Sequence, residues 1–260
     1  MAEASIVTTR DGDIATVIID RPEKLNAMTK HLWQSLGETI EALSRDDALR
    51  CIVLRGAGEK AFSPGNDIAE FRTDRSNVEQ ARAYGAIMHR TLAALKGCRH
   101  PLIAMIHGIC VGGGLEIAAM CDLRICGESS RFGAPIKNLG LVMAHAEMEG
   151  LVQLAGPAVA LEILLEGRIF GASEALAKGL VTRIVPDGDV TPHTYETARR
   201  IADGAPLVAR WHKQFVRRVL DPTPLSDDDR DEGFACFGTD DFRAGYEAFL
   251  SKIKPEFKGR

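Results

Sequence analysis

Gly112-Gly113-Gly114-Leu115-Glu116 stands a few residues beyond the apolar run Leu102-Ile103-Ala104-Met105-Ile106. Three consecutive glycines cost backbone entropy that a purely structural helix avoids, which points to a close backbone approach. Leu115, Ile117, Ala118, Ala119 and Met120 favour a helix from there on. The glycines then occupy its first turn, where amide N–H groups lack intrahelical partners and the helix dipole is positive. Such a turn suits a developing negative charge. Glu116, one turn in, brings a carboxylate beside those donors. An oxyanion site with an acid–base group next to it is a catalytic arrangement. A glycine-rich turn packed against a neighbouring element would use the same residues.

Strands and helices alternate around this stretch. Ile14, Val17, Ile18 and Ile19 mark a strand over 13–20 that ends at Asp20-Arg21-Pro22. Leu32, Leu36, Ile40 and Leu43 recur on one face of a helix capped by Thr29. Cys51-Ile52-Val53-Leu54 is a short apolar strand closed by Gly56-Ala57-Gly58, and residues 62–67 form a loop. A helix from Asn77, with Gln80 three residues on as in a capping box, runs to Lys96 and Gly97. Strands follow over 102–107 and 122–126. From residue 145 the chain is mostly helical. Ser173 is the expected cap of a short helix to Lys178, Gly179 its stop, and 182–185 a brief strand. Asp227-Asp228-Asp229 reads as a solvated turn or helix start. This alternation predicts an α/β core over 1–200 and a helical extension over 201–260, with no fixed-period repeat.

Composition sets the outer bounds. The 260 residues are 45% hydrophobic and 26% charged, ordinary for a soluble globular protein. A net charge of −4 gives no reason to expect nucleic acid or an acidic membrane as partner. The six cysteines are scattered without a CxxC pair, as expected of reduced core thiols. Met1-Ala2-Glu3-Ala4-Ser5 lacks the basic start of a signal peptide, and no apolar run approaches a bilayer-spanning length. A cytoplasmic protein is expected.

Two motifs are decoys. Gly56-Ala57-Gly58-Glu59-Lys60-Ala61 fits GxGxxA, but Pro64-Gly65 interrupts the helix a dinucleotide site needs. His145, Glu147 and Glu149 lie close in sequence without the outlying ligands of a metal site, so no metal is expected.

Two loops belong together. Ala61-Phe62-Ser63-Pro64-Gly65-Asn66-Asp67-Ile68 and the segment from His107 to Glu116 each follow a strand and open a helix near glycine. Each can therefore offer a backbone N–H. The pair resembles the enoyl-CoA hydratase/isomerase (crotonase) superfamily. So do Asp20-Arg21-Pro22-Glu23-Lys24-Leu25-Asn26-Ala27-Met28, Cys121-Asp122, Arg131-Phe132-Gly133-Ala134-Pro135 and Asn138-Leu139-Gly140. Gly179-Leu180-Val181 and Phe249-Leu250-Ser251-Lys252 fit as well, so the likeness runs from about residue 10 to the C-terminus.

The resemblance implies a crotonase-type spiral of ββα units, with a C-terminal helical region that builds homotrimers, often paired into hexamers. It implies an acyl-CoA thioester substrate, coenzyme A entering as part of it, with no separate cofactor. The thioester carbonyl would lie between the N–H groups of Asn66 and Gly113, which stabilise the enolate formed in reaction. Coenzyme A would run along Lys24, Leu25 and Ala27 and along Asn66, Asp67, Ile68 and Ala69. Gly112, Gly113 and Ile136 would also bind the substrate, and Lys252 could reach in from a neighbouring subunit.

One position departs from the hydratase pattern. Hydratases of the superfamily use two glutamates to position and deprotonate water. Glu116 matches the first, but the residue after Phe132-Gly133-Ala134-Pro135 is Ile136. The glycine-rich stretch after Asn138-Leu139-Gly140 is replaced by Met143-Ala144-His145-Ala146-Glu147-Met148-Glu149. Some members with other chemistries carry their working acid or base there, which makes His145 and Glu147 candidates. His145 comes first because an imidazole exchanges protons near neutral pH. The expected function is enoyl-CoA hydratase/isomerase-type chemistry through a thioester enolate, with hydratase the leading label. The alternatives are an isomerase, decarboxylase or thioester hydrolase using Glu116 with His145 or Glu147, and a non-catalytic acyl-CoA-binding homologue. Retention of Glu116 weighs against the last.

Overall fold

The apolar runs at 51–54 and 102–106 become neighbouring parallel strands buried on both faces, as continuous apolar strands require. The computed structural model describes residues 4–260. Among these, strands β1 (Ser5–Asp11), β2 (Ile14–Asp20), β3 (Cys51–Gly56), β4 (Ala61–Ser63) and β5 (Leu102–Ile106) precede the glycine run or lead to it. They are followed by β6 (Ile109–Val111), β7 (Leu123–Gly127), β8 (Arg131–Gly133), β9 (Phe170–Gly171) and β10 (Arg183–Val185). One sheet has the order β1-β2-β3-β5-β7-β10 and the other β4-β6-β8-β9. Only the β1–β2 and β8–β9 pairs are antiparallel.

Side-chain alternation splits the large sheet into two packing faces. Ile52, Leu54, Leu102, Ala104 and Ile106 join one core with Leu32, Leu36 and Ile40 from the Lys30–Ser44 helix and Met88, Leu92 and Leu95 from the Val78–Gly97 helix. Cys51, Val53, Ile103, Met105 and Ile125 face the opposite way, against Val190, Ala198 and Ala202 of the Val190–Ala202 helix. A one-residue slip in β3 or β5 would exchange the two faces.

Each of β3, β5 and β7 in the large sheet is followed by β4, β6 and β8 in the small one, in the same lateral order. This is the spiral of strand–strand–helix units. The units begin at Cys51, Leu102 and Leu123, so their lengths differ and no period appears in sequence. Strands β4, β6, β8 and β9 are two or three residues long, too short to leave a hydrophobic pattern.

Local signals place most helix ends. The Thr29 side chain accepts from Leu32 N at 3.2 Å, and Asn77 accepts from Gln80 N at 2.9 Å. The Gln80 carboxamide does not close a box on Asn77; it takes the Ser76 N–H at 2.9 Å. Ser173 is not a cap either. The helix is Ala172–Ala177 with Gly171 at its N-cap, which puts Ser173 inside the first turn, and Gly179 stands beyond its end at φ 76°.

One helix runs against the expectation about apolar length. His145–Glu166 is apolar enough to match a membrane span by length and composition, with mean hydropathy 1.5. Gly156 (φ 75°, ψ 167°) and Pro157 break it into two shorter helices.

The C-terminal helices Pro206–Leu220, Asp227–Glu232 and Asp240–Ser251 follow, Pro206 starting the first of them. Lys213 ties this region to the strand ends through His100 O and Asp122 Oδ2, both at 2.6 Å. Phe234, Phe237, Phe242, Tyr246 and Phe249 stand exposed along it.

Candidate active site

Ser63, Val111 and Gly133 end three neighbouring parallel strands, β4, β6 and β8. The chain just beyond each end lines one cavity of about 440 Å³. Pro64, Asn66, Asp67 and Ile68 come from the first, Gly112, Gly113 and Glu116 from the second, and Pro135, Ile136, Leu139 and Leu141 from the third. Ala27 and Phe71 complete most of the wall. The site therefore sits where successive turns of the spiral present equivalent positions.

Two backbone N–H groups among the lining residues have no acceptor among the described residues. Around Asn66, the Met28 N–H donates to Gly65 O and the Asp67 N–H to Met28 O, both at 2.8 Å. That parallel bridge skips the Asn66 N–H, which has no acceptor among the described residues. Gly113 is the first residue of the Gly113–Ala119 helix. Gly112 N–H donates to Gly133 O at 2.9 Å and Glu116 N–H to Gly112 O at 3.0 Å, while the Gly113 N–H is likewise without an acceptor.

The glycine run allows the close backbone approach that its sequence suggested. A Cβ on Gly114 would stand 2.1 Å from Ser63 O, so only glycine lets the two strand ends approach. A Cβ on Gly113 would stand 3.6 Å from Asn66 N, which puts the two donor residues side by side.

Glu116 lines the same cavity although its residue is only 6% exposed. Its Oε2 has no hydrogen-bond partner. Burial, and then the negative charge of Glu147, push its carboxyl up to about 8, against the pull of Arg75. Arg75 is held by stacking on Phe71 and Tyr84, 4.7 and 4.8 Å from their ring centres.

Glu147 and His145 part company. Glu147 is buried at the third position of its helix, accepting from Ala144 N at 2.8 Å and facing His89 Nε2 at 3.2 Å. His145, the first helical residue, is exposed and does not line the cavity. Two positions along a helix turn a side chain to a different face, so Glu147 is the buried one of the two, although it does not line the cavity either. His145 is not beside the site. Glu149 pairs with Lys96 at 2.6 Å, so the three residues do not converge, and no metal-holding group of His, Cys, Asp and Glu occurs among the described residues.

Of the residues expected to bind the acyl-CoA substrate, Ala27, Asn66, Asp67, Ile68, Gly112, Gly113 and Ile136 line the cavity. Lys24, Leu25 and Ala69 are exposed and do not line it. The 24–27 loop is nonetheless firmly placed: buried Asn26 donates to Ala57 O at 3.0 Å and Ala61 O at 2.8 Å. Burial raises the Asp67 carboxyl, but the Ala69 N–H, Arg21 and Lys24 outweigh it and hold it below the usual range. Lys252 ends the Asp240–Ser251 helix in the left-handed conformation (φ 55°), exposed and outside this chain's cavity.

Sequence reasoning missed Trp33. Its wholly buried indole donates Nε1–H to Asn66 Oδ1 at 2.6 Å. Trp33 shares a helix face with Leu32 and Leu36 and so reads as core.

A model of the enoyl-CoA hydratase/isomerase family matches residues 9–260. The chain belongs to this family. It is 31% identical over 260 residues to the short-chain-enoyl-CoA hydratase of Clostridium acetobutylicum, covering 98% of each chain. It is 31% identical over 259 residues to the crotonyl-CoA hydratase of Syntrophomonas wolfei, covering 99% of each. Among solved structures it is similar to an enoyl-CoA hydratase/carnithine racemase from Magnetospirillum magneticum. There the TM-score is 0.97 and the identity 47%, over 100% of this chain and 97% of the other. In this member of the enoyl-CoA hydratase/isomerase family, position 136 is an apolar wall residue beside Leu139 and Leu141.

Proposed function

We propose that this protein transforms acyl-CoA thioesters as an enoyl-CoA hydratase/isomerase-type enzyme, hydratase being the leading label. The observation that carries the reading is the pairing of two unsatisfied backbone donors, Asn66 N–H and Gly113 N–H, with buried Glu116 in one cavity. A thioester carbonyl oxygen held by both donors gains negative charge as the enolate forms, and fixed N–H dipoles stabilise that charge. Glu116 carries the proton. In hydration, the hydroxyl of water adds at C3 and a proton is delivered at C2 of the enolate. In isomerisation, one carboxylate removes a proton from the acyl chain and returns it to another carbon.

Coenzyme A enters with the substrate, along the 24–27 loop and the 66–69 segment, and no separate cofactor is required. The exposed aromatics of the C-terminal helices support a trimer or hexamer.

Ile136 favours a second reading. It leaves that wall of the cavity without an acid–base group, which suits a one-carboxylate isomerase in which Glu116 shuttles the proton. Mass-spectrometric monitoring of enoyl-, malonyl-type and β-ketoacyl-CoAs with wild type and Glu116→Gln tests both. Water gain on an enoyl-CoA that disappears in the variant supports hydration; double-bond migration without mass change supports isomerisation. No conversion of any member of the panel would overturn the enzymatic reading.

A further inference from the structure

We infer that Trp33 is a positioning residue that sets the Asn66 half of the donor pair. The inference rests on the reading of Asn66 and Gly113 as an oxyanion hole. An indole N–H can only donate, so the 2.6 Å contact must fall on the carboxamide oxygen of Asn66. The orientation of the amide is thereby fixed. Asn66 sits in a loop with only one bridge to its neighbours, through Met28, and its own N–H takes no part in it. The indole bond supplies a second restraint on that residue.

The same ring backs the other donor. A Cβ on Gly113 would stand 3.0 Å from Trp33 Cζ2, so the indole edge lies against the Gly113 backbone. One rigid side chain thus touches both donor residues. Trp33 itself is fixed by complete burial and by Thr91 Oγ1–H, which donates to Trp33 O at 2.7 Å. Its own position is therefore set within the packed pair of helices Lys30–Ser44 and Val78–Gly97. None of this requires Trp33 to meet the substrate, and it is absent from the cavity wall.

Trp33→Phe keeps an aromatic core residue but removes the donor and the outer edge of the indole. Asn66→Ala removes the acceptor while keeping the Asn66 backbone N–H. The probe is acetoacetyl-CoA, whose enolate absorbs in the near ultraviolet where the keto form does not. Bound wild type is expected to raise the enolate fraction, and Trp33→Phe to lower it, with kcat on the turned-over acyl-CoA falling about tenfold to a hundredfold and KM changing less than twofold. In the Asn66→Ala background, Trp33→Phe should cost much less, because the bond it acts through is already gone. Circular dichroism and thermal melting establish that the variants fold. If Trp33→Phe does not fold, Asn66→Ala alone must lower the enolate fraction, and an unchanged fraction overturns the inference. Effects of the two substitutions that simply multiply would reduce Trp33 to packing and also overturn it. A wild type that gives no enolate signal overturns the oxyanion-hole reading itself.

Discussion

A Cβ on Gly65 would lie 2.5 Å from the backbone nitrogen of Gly113, in space the protein has no room to give. Gly65 also holds φ 92°, a conformation that side chains rarely adopt. The residue before one proposed donor is therefore packed against the nitrogen of the other.

Gly65→Ala is expected to spread the two donors. Activity should fall about 10²–10³-fold, the cost of losing one oxyanion donor. Backbone strain of about 1–3 kcal/mol should lower the melting temperature by several degrees. Steady-state kinetics alongside calorimetry checks both. A variant with wild-type kcat/KM would mean that the close approach has no catalytic role.

Glu116 predicts a definite pH dependence. Its carboxyl titrates at about 8 in the folded protein against an ordinary 4.5. Between those values the native state holds a proton that the unfolded chain releases, so stability falls as pH rises, by about 1.4 kcal/mol per unit. The penalty is complete above pH 8. Glu116→Gln lacks it, and the melting-temperature gap in favour of the variant should widen from pH 5 to 8 and then level. With Glu116 as base, wild-type kcat/KM should rise with pH to an inflection near 8. A pH-independent gap would contradict the assignment.

Glu147 and His145 should behave differently. Glu147→Gln keeps an acceptor for Ala144 N–H but removes the charge that helps to raise Glu116. The inflection near pH 8 should therefore move to lower pH. His145→Ala should leave kcat within about twofold of wild type, as expected of a surface change. An unmoved profile in the Glu147 variant would cut the proposed link between the two carboxylates.

Sedimentation at micromolar concentration is expected to give a trimer or hexamer. Phe242 packs tilted against Phe237 and stacks on Tyr246 while all three remain exposed, with centroids 4.7 and 6.5 Å apart. Phe237→Asp with Phe249→Asp should shift the mass towards monomer. A monomeric wild type would refute the assembly.

The long elements were legible because each carries its own signal. The runs at 51–54 and 102–106 gave central strands, and Thr29 and Asn77 gave helix starts. Strands β1, β4, β6, β8 and β9 were not foreseen; β4 takes Phe62 and Ser63 out of the expected 62–67 loop, and pairing between distant segments makes β4, β6, β8 and β9 rather than local preference. In the candidate site, the glycine run pointed to one proposed donor and the Ser63-Pro64-Gly65-Asn66 loop to the other. Trp33 and His89 stayed hidden because a helix face reads only as buried or exposed. The order of His145 before Glu147 rested on titration range, which says nothing about which way a residue turns: the fold leaves His145 exposed and buries Glu147.

The arrangement of β4 beside β6 has a metric consequence. Ala61 pairs with Ile109 and Ser63 with Cys110, and the donors follow within three residues of each strand end. Neighbouring strands in any sheet lie about 4.7–4.9 Å apart. Two nitrogens at that separation can each reach a single oxygen placed between them at about 2.7–3.1 Å. The gauge of the proposed hole then starts from the pitch of the backbone ladder, and Trp33 and Gly65 hold the two loops beyond the strand ends close to it. Substitutions around the rim can change what is bound, while the distance between the donors follows from the strand spacing and from the close packing of Gly65 on Gly113.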